Sequence, residues 1–265
     1  MAIYAAAFAN QITVDLGDGL GNEPIVDEKE ATRNVIRLIK EWTRKAGCST
    51  QIVCLSSIQS DSFRHRLWEP YKAGRGEKPR AYLAVRHAVE LEFETYQEPG
   101  LEADDLMGIA GTSERAQTVI VSRDKDMRTV PALVFNPEHD VRPVRIRPAI
   151  ADQMWMKQAM IGDAIDNYPG IPKVGEVTAQ KILTHPHRLY SVDAKKGKKT
   201  VKKWIEGQSC GLWQCMVDYA TKAGKTEEDL ITMAQVSRIL RAGDFDKERR
   251  VVKLWRPNGH KELHL

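Results

Sequence analysis

Apolar residues recur at helical spacing over residues 25–46, where Val35, Ile36, Ile39 and Trp42 form one stripe with basic residues between them. Gly47 ends that predicted helix. Residues 51–55 read as a short buried strand, and a second helical stretch runs over about 80–96. Residues 101–110 predict a helix with carboxylates near its start. Two further apolar runs of strand length follow, at 118–122 and 132–135, and 141–146 can pair with the latter through the turn at 137–140. From Pro148 onward the pattern becomes helical: 151–161 and 176–183 flank a glycine- and proline-rich connection, and 209–242 is mostly helical. Residues 250–265 predict a β-hairpin turning at Asn258-Gly259. Helices alternating with β-rich runs argue for an α/β fold with a mainly parallel, twisted sheet flanked by helices. No internal repeat is visible.

The chain has 265 residues, 42% hydrophobic and 29% charged, the profile of an ordinary globular protein. No apolar run approaches the ~20 residues that span a bilayer. Residues 1–9 are apolar but lack a basic leader, so a signal peptide is not expected. Neither Cys48 and Cys54 nor Cys210 and Cys215 have zinc-knuckle spacing, and we read all four as reduced thiols of a cytoplasmic protein. The formal net charge of +4 says little by itself. Its distribution says more: residues 195–203 hold six lysines in nine positions, including Lys198 and Lys199. Such a run is either a solvated loop or a patch for phosphates.

Acidic residues gather in three short groups: Glu102, Asp104 and Asp105; Asp124 and Asp126; Asp163 and Asp166. Each group sits at the edge of a predicted element, and Asp124 and Asp126 follow the carboxyl end of a strand, where open α/β sheets place ligands. Any one of these side chains alone would read as a surface or capping residue. Grouped like charges cost energy unless a cation neutralises them. Oxygen-only donors suit Mg²⁺ or Mn²⁺. Two such ions ~4 Å apart can activate a water and stabilise the leaving oxygen of a phosphodiester.

The stretch GDAIDNYPGIPKVGEVTAQKIL over residues 162–183 joins two helices through a tight path that Gly170 and Gly175 permit. Amides at the start of the following helix can face a phosphate, with Lys173 and Lys181 adding charge. That arrangement grips a duplex backbone without reading bases.

This segment resembles the helix–three-turn–helix of the 5′-nuclease family of 5′→3′ exonucleases and flap endonucleases, in its small free-standing bacteriophage form. EADD at 102–105 and SRDKD at 122–126 match the family's other acidic motifs in order, and Phe63-Arg64 followed by YKAGR at 71–75 resembles its FR…YKxxR motif. The match spans roughly residues 1–185. It implies a PIN-like 5′-nuclease core over 1–147, with a helical arch at about 63–100, and a helix–three-turn–helix region with helical tail and hairpin over 148–265. It further implies a first metal site from Glu102, Asp104, Asp105 and Asp124, and a second from Asp126, Asp163 and Asp166. Lys72 and Arg75 would contact the scissile phosphate, as catalytic cations. Arg64 falls in the DNA-contacting motif, and Tyr71 stacks on a base or is a core or rim tyrosine. A K⁺ is implied at backbone carbonyls around Ile171 and Val174. The implied partner is DNA with a 5′ end, flap, nick or gap, with an RNA–DNA hybrid as a further substrate. In that setting we favour backbone contact for the lysine run. No zipper pattern is visible, so a monomer is expected.

Two departures stand out. Family members begin with a strand ending in a metal-binding aspartate, followed by a segment like IYAAAFANQ; here Met1 stands directly before that segment. Either the numbered chain begins at an internal methionine or it lacks a ligand. The family also often carries an aspartate about six residues before the FR pair, where Ser57 stands, with Asp61 out of register. Both bear on the first site, and a sheet lacking that strand is expected to be less stable. The leading expectation is a two-metal 5′→3′ exonuclease or flap endonuclease. The alternatives are a catalytically impaired branched-DNA-binding protein of the same fold and, more remotely, a PIN-class ribonuclease.

Overall fold

Helix α1 (Glu28–Lys45) forms on the predicted stripe. The Asp27 side chain accepts the Glu30 N–H at 2.9 Å, acidic residues occupy the first turn, and Arg44 and Lys45 occupy the last. Gly47, at φ +72°, releases the chain from the helix. The computed structural model describes residues 3, 7, 9, 11–15, 22–57, 62–114, 117–196 and 199–265. These fall into two compact units: Met1–Ser60 with Gly76–Arg147, and Asp61–Arg75 with Pro148–Leu265.

In the first unit, strands β1 (Gln11–Asp15) and β2 (Asn22–Val26) pair antiparallel. Helix α1 packs on α3 (Tyr82–Glu92), and their buried faces, Ala31, Val35 and Ile39 against Tyr82, Val85 and Val89, form the core with Leu55 and Phe93. Burying each of the larger aliphatic side chains contributes about 1.5–3 kcal/mol. This packing corrects the expected arch over 63–100. One face of 82–93 is core, because Tyr82, Val85 and Val89 share it, and only 73–78 run continuously exposed. Strand β3 (Val53–Cys54) pairs parallel with β4 (Thr95–Tyr96). Strand β5 (Val119–Val121) pairs parallel with β6 (Leu133–Phe135), which pairs antiparallel with β7 (Val144–Arg145). Helix α4 (Ala103–Gly111) touches both β3 and β5. Among the described residues, parallel pairing is thus confined to two short ladders rather than one mainly parallel sheet. Runs of two or three paired residues make too few ladder bonds to extend further.

The second unit is built on α2 (Arg64–Leu67), α5 (Pro148–Ile161), α6 (Glu176–Thr184), α7 (Leu212–Lys222) and α8 (Glu227–Ser237). Met160, Ile171, Val174, Ile182, Met216 and Leu230 fill its core. Thr226 and Asp229 close a reciprocal cap at the start of α8. Strands β8 (His187–Lys196) and β9 (Lys199–Ser209) form a long antiparallel ribbon through the lysine run. The C-terminal sheet is β10 (Phe245–Asp246), β11 (Val251–Arg256) and β12 (Gly259–His264). Its hairpin turns on Pro257-Asn258, one residue before the expected position, because Arg256 pairs with Gly259. Proline's fixed φ suits the first turn position. Among the described residues no helix is long and apolar enough to cross a membrane, and all four cysteines are free thiols.

Candidate active site

The acidic groups of the first unit lie where two parallel strands end. Past β3, the Ser56 hydroxyl accepts the Ala103 N–H at 3.0 Å and so holds the first turn of α4 at that strand end. Arg86, only 2% exposed, fixes the same corner by donating to the Ser56 carbonyl at 2.8 Å and to Gln97. Asp105 is fully buried, and its carboxylate accepts the Glu102 N–H at 3.1 Å. Glu102 and Asp104 are half-buried beside it. Asp104 lies close enough to Cys54 that burial first, and the carboxylate's charge second, push the thiol up to about 12. Past β5, buried Ser122 accepts the Asp124 N–H at 3.1 Å, and Asp124 caps the 3₁₀ turn Lys125–Thr129 by accepting the Asp126 N–H at 2.9 Å. Asp124 and Asp126 are half-buried.

In the second unit the turn after α5 closes on two glycines. Gly162 and Gly170 have φ of +79° and +60°. A Cβ on Gly170 would lie 2.5 Å from the Gly162 nitrogen and from the Met160 oxygen, so neither position admits a side chain. The pinch is held by reciprocal bonds between Asp163 and Tyr168 at 2.9 and 3.1 Å. The Asp163 carboxylate accepts the N–H groups of Ile165 and Asp166 at 2.7 and 3.1 Å. Asp166 in turn receives three of the expected site residues. Arg75 donates at 2.6 Å, the Tyr71 hydroxyl at 3.2 Å, and the Lys72 ammonium stands 3.8 Å away. Lys72 holds φ +58° while its N–H donates to the Asp166 carbonyl, a strained backbone of the kind that collects at functional sites.

Of the two readings of Tyr71 the core one holds, and the expectation for Arg64 is corrected. Tyr71 is 4% exposed, packed against Tyr168, Met233 and Val236, so it orients Asp166 rather than stacking on a base. Arg64 is 3% exposed and donates to the Val236 and Arg238 carbonyls at 2.8 and 2.7 Å; it is a latch between α2 and the end of α8, not a DNA-facing cation. Lys173 is exposed at φ +67°, and Gly175 caps α6. Lys181 is exposed but paired with Glu206, whose hydrogen bond and charge raise its pKa. Ile171 already closes the turn by accepting the Val174 N–H at 3.0 Å. Lys198 lies outside the described residues, and Lys199 is placed only by its backbone, at the tip of the ribbon.

Among the described residues no three carboxylate, imidazole or thiol groups stand together as a ready-made cation site. Asp105 and Asp124 accept from backbone N–H groups, and Asp166 accepts from Arg75 with the Lys72 ammonium 3.8 Å away. The donor set itself, carboxylate oxygens alone, is the type a hard divalent ion takes.

A family model described as "5′-3′ exonuclease, N-terminal resolvase-like domain" matches residues 20–150. The exodeoxyribonuclease of Enterobacteria phage T3 is 33% identical over 249 residues, covering 87% of this chain and 82% of that protein. The chain belongs to the 5′→3′ exonuclease family. The exonuclease of Escherichia phage T7 is 32% identical over the same length, covering 87% and 83%. A crystal structure of the phage T5 D15 protein with metal ions superposes with a TM-score of 0.53 at 18% identity, over 79% of this chain and 83% of that one. The chain is therefore a nuclease with the resolvase-like fold of mixed helices and sheets. Sequence reasoning overlooked three positioning residues of this exonuclease. Ser56 and Arg86 carry no motif. Asn167, at φ +56°, donates to the Pro70 carbonyl at 2.8 Å and accepts from Trp68 at 2.9 Å, clamping residues 68–72 onto the turn. Its place after Asp166 in the GDxxDN stretch was the available signal.

Proposed function

We propose that the chain hydrolyses DNA phosphodiester bonds at or near a 5′ end, flap, nick or gap, with Mg²⁺ or Mn²⁺ as cofactor. The observation that carries this reading is the convergence of Lys72 and Arg75 on Asp166, beside the glycine pinch that leads into α6. Glu102, Asp104, Asp105, Asp124 and Asp126 in the first unit and Asp163 and Asp166 in the second are the candidate ligands. Divalent ions held there would lower the pKa of an attacking water and neutralise the leaving oxygen. Lys72 and Arg75, released from Asp166 when a cation takes its charge, would hold the scissile phosphate and stabilise the charge that develops on it. Gly175 and the first amides of α6, with Lys173 nearby, would seat a backbone phosphate of the duplex. The names and fold of the relatives support the substrate class; the number of carboxylates supports a count of two ions.

The test is cleavage of a 5′-labelled flap duplex. Cleavage is expected with Mg²⁺, is lost in EDTA and is lost in Asp124→Ala, while that variant still binds the flap in a gel-shift assay. Unchanged cleavage by Asp124→Ala rejects the ligand assignment. A wild-type chain that binds the flap without ever cutting it belongs with the DNA-binding alternative.

A further inference from the structure

The β8–β9 ribbon separates its side chains into two faces by register. Tyr190 faces Ile205, Val192 faces Lys203 and Ala194 faces Val201, so one face is apolar except for Lys203. Tyr190, Val192, Val201 and Ile205 on that face are 39–42% exposed. The other face pairs Ser191 with Trp204, Asp193 with Lys202 and Lys195 with Thr200. The base is anchored: Leu189 is buried, its N–H donates to Asp218 at 2.9 Å, and Arg188 donates to the same carboxylate at 2.7 Å. Beyond Leu189 the described side chains are exposed or half-exposed. Seven residues of strand at ~3.3 Å each carry the ribbon ~23 Å past its anchor.

A lone two-stranded hairpin is marginal in water, and this one also exposes apolar surface, so a partner is called for. Charge says which. The outer end, residues 193–203, holds six lysines against one carboxylate, Asp193. A second copy of the chain would bring like charge to like charge; a polyanion would not. Two strands ~4.8 Å apart, with their side chains, also fit the ~12 Å major groove, which admits a β-ribbon.

We propose that β8–β9 is a ribbon arm that lies along duplex DNA, with the lysines of its outer end on phosphates and its apolar face against the groove. The inference rests on the reading of the chain as a DNA nuclease and extends its duplex contact beyond the turn before α6. At ~3.4 Å per base pair the free length of the arm covers about seven pairs.

Fluorescence anisotropy in EDTA, with labelled flap substrates carrying duplex arms of about 8 and about 24 base pairs, tests it. Replacing Lys195, Lys202 and Lys203 together by alanine is expected to weaken binding to the long arm at least about tenfold at moderate salt. It should also lower the slope of log K against log salt by roughly 2 to 3, at about 0.9 per phosphate contact. Replacing the same three by arginine should restore both. The short arm should respond much less. An unchanged salt slope on the long arm overturns the proposal. So does a wild-type dimer in sedimentation that Val201→Asp disperses, since the face would then belong to a second copy. If the wild-type chain binds and cuts DNA normally while the alanine variant binds as tightly, only the ribbon inference fails. If the wild-type chain binds no DNA at all, the nuclease reading fails with it.

Discussion

Single backbone angles do much of the site-building in this chain. The Gly162–Gly170 pinch brings two main chains within a distance that any Cβ would violate, and it is this contact that presents Asp163 and Asp166 on one short turn. Gly170→Ala is expected to destabilise the second unit by about 2–4 kcal/mol, the sum of a left-handed alanine and a backbone clash. Urea unfolding should show a lower midpoint at unchanged m-value; a midpoint equal to wild type would mean the turn is not held this way. Lys72 makes the complementary case. Its φ of +58° is paid for by the fold, so Lys72→Gly should be more stable than Lys72→Ala by about 1 kcal/mol, while both lose roughly 10²–10³-fold in kcat. Equal stability of the two variants would show that the left-handed angle carries no strain. At this scale the sequence was informative about residue type and poor about surroundings. The acidic groups stood out because like charges in three short runs are costly, and glycines at 170 and 175 marked the turn, although it is Gly162 that closes it with Gly170. That Arg64 and Tyr71 would be buried was hidden, since a cation and a phenol in a DNA-binding motif read equally as surface groups until Val236, Arg238 and Asp166 are seen beside them.

At the scale of elements, helices were legible and ribbons were not. The stripes of α1 and α7 follow a period of 3.6 that few other structures produce. Strands β8 and β9 lack a clean period of two, because the lysines near the tip occupy both faces and mask the apolar alternation of Tyr190, Val192 and Ala194. Their anchor includes the Asp218 carboxylate. Burial would raise the pKa of Asp218, but hydrogen bonds from Arg188, the Leu189 N–H and Gln214 outweigh it and hold the carboxyl below its ordinary range. A lowered folded pKa contributes stability that is complete above the unfolded value near ~4 and fades as pH falls through the folded one. Asp218→Asn should therefore cost about 1.5–3 kcal/mol at neutral pH, the range for hydrogen bonds to a charged group. The gap between variant and wild type should close on acidification below about pH 4. A gap that stays constant from pH 7 to pH 3 would remove Asp218 from the role of charged anchor.

The chain crosses between its two units more than once, and this has a consequence for the whole molecule. Residues up to Ser60 belong to the first unit, 61–75 to the second, 76–147 to the first again, and the rest to the second. The segment around the second crossing, 73–78, is exposed and carries Arg75 before Gly76, so trypsin has access there, whereas the Lys78–Pro79 bond resists it. A nick after Arg75 leaves an N-terminal piece that is built into both units. In the first, α1 packs against α3 and β3 pairs with β4, both contacts joining the two pieces. In the second, Arg64 is buried and bonded to carbonyls at the end of α8, and Asn167 binds the Pro70 carbonyl. Burial of Val35, Ile39, Val85 and Val89 alone is worth several kcal/mol against separation. The product of a single cut after Arg75 is therefore expected to give two bands on a denaturing gel but one peak in native gel filtration, the pieces parting only in denaturant. Cleavage of a flap should fall steeply on the same time course, because the nick lies beside Lys72, tied to Asp166 by its backbone N–H, and Arg75, tied to it by its guanidinium. Pieces that separate without denaturant would mean that the interleaving of the chain does not hold the two units' cores together.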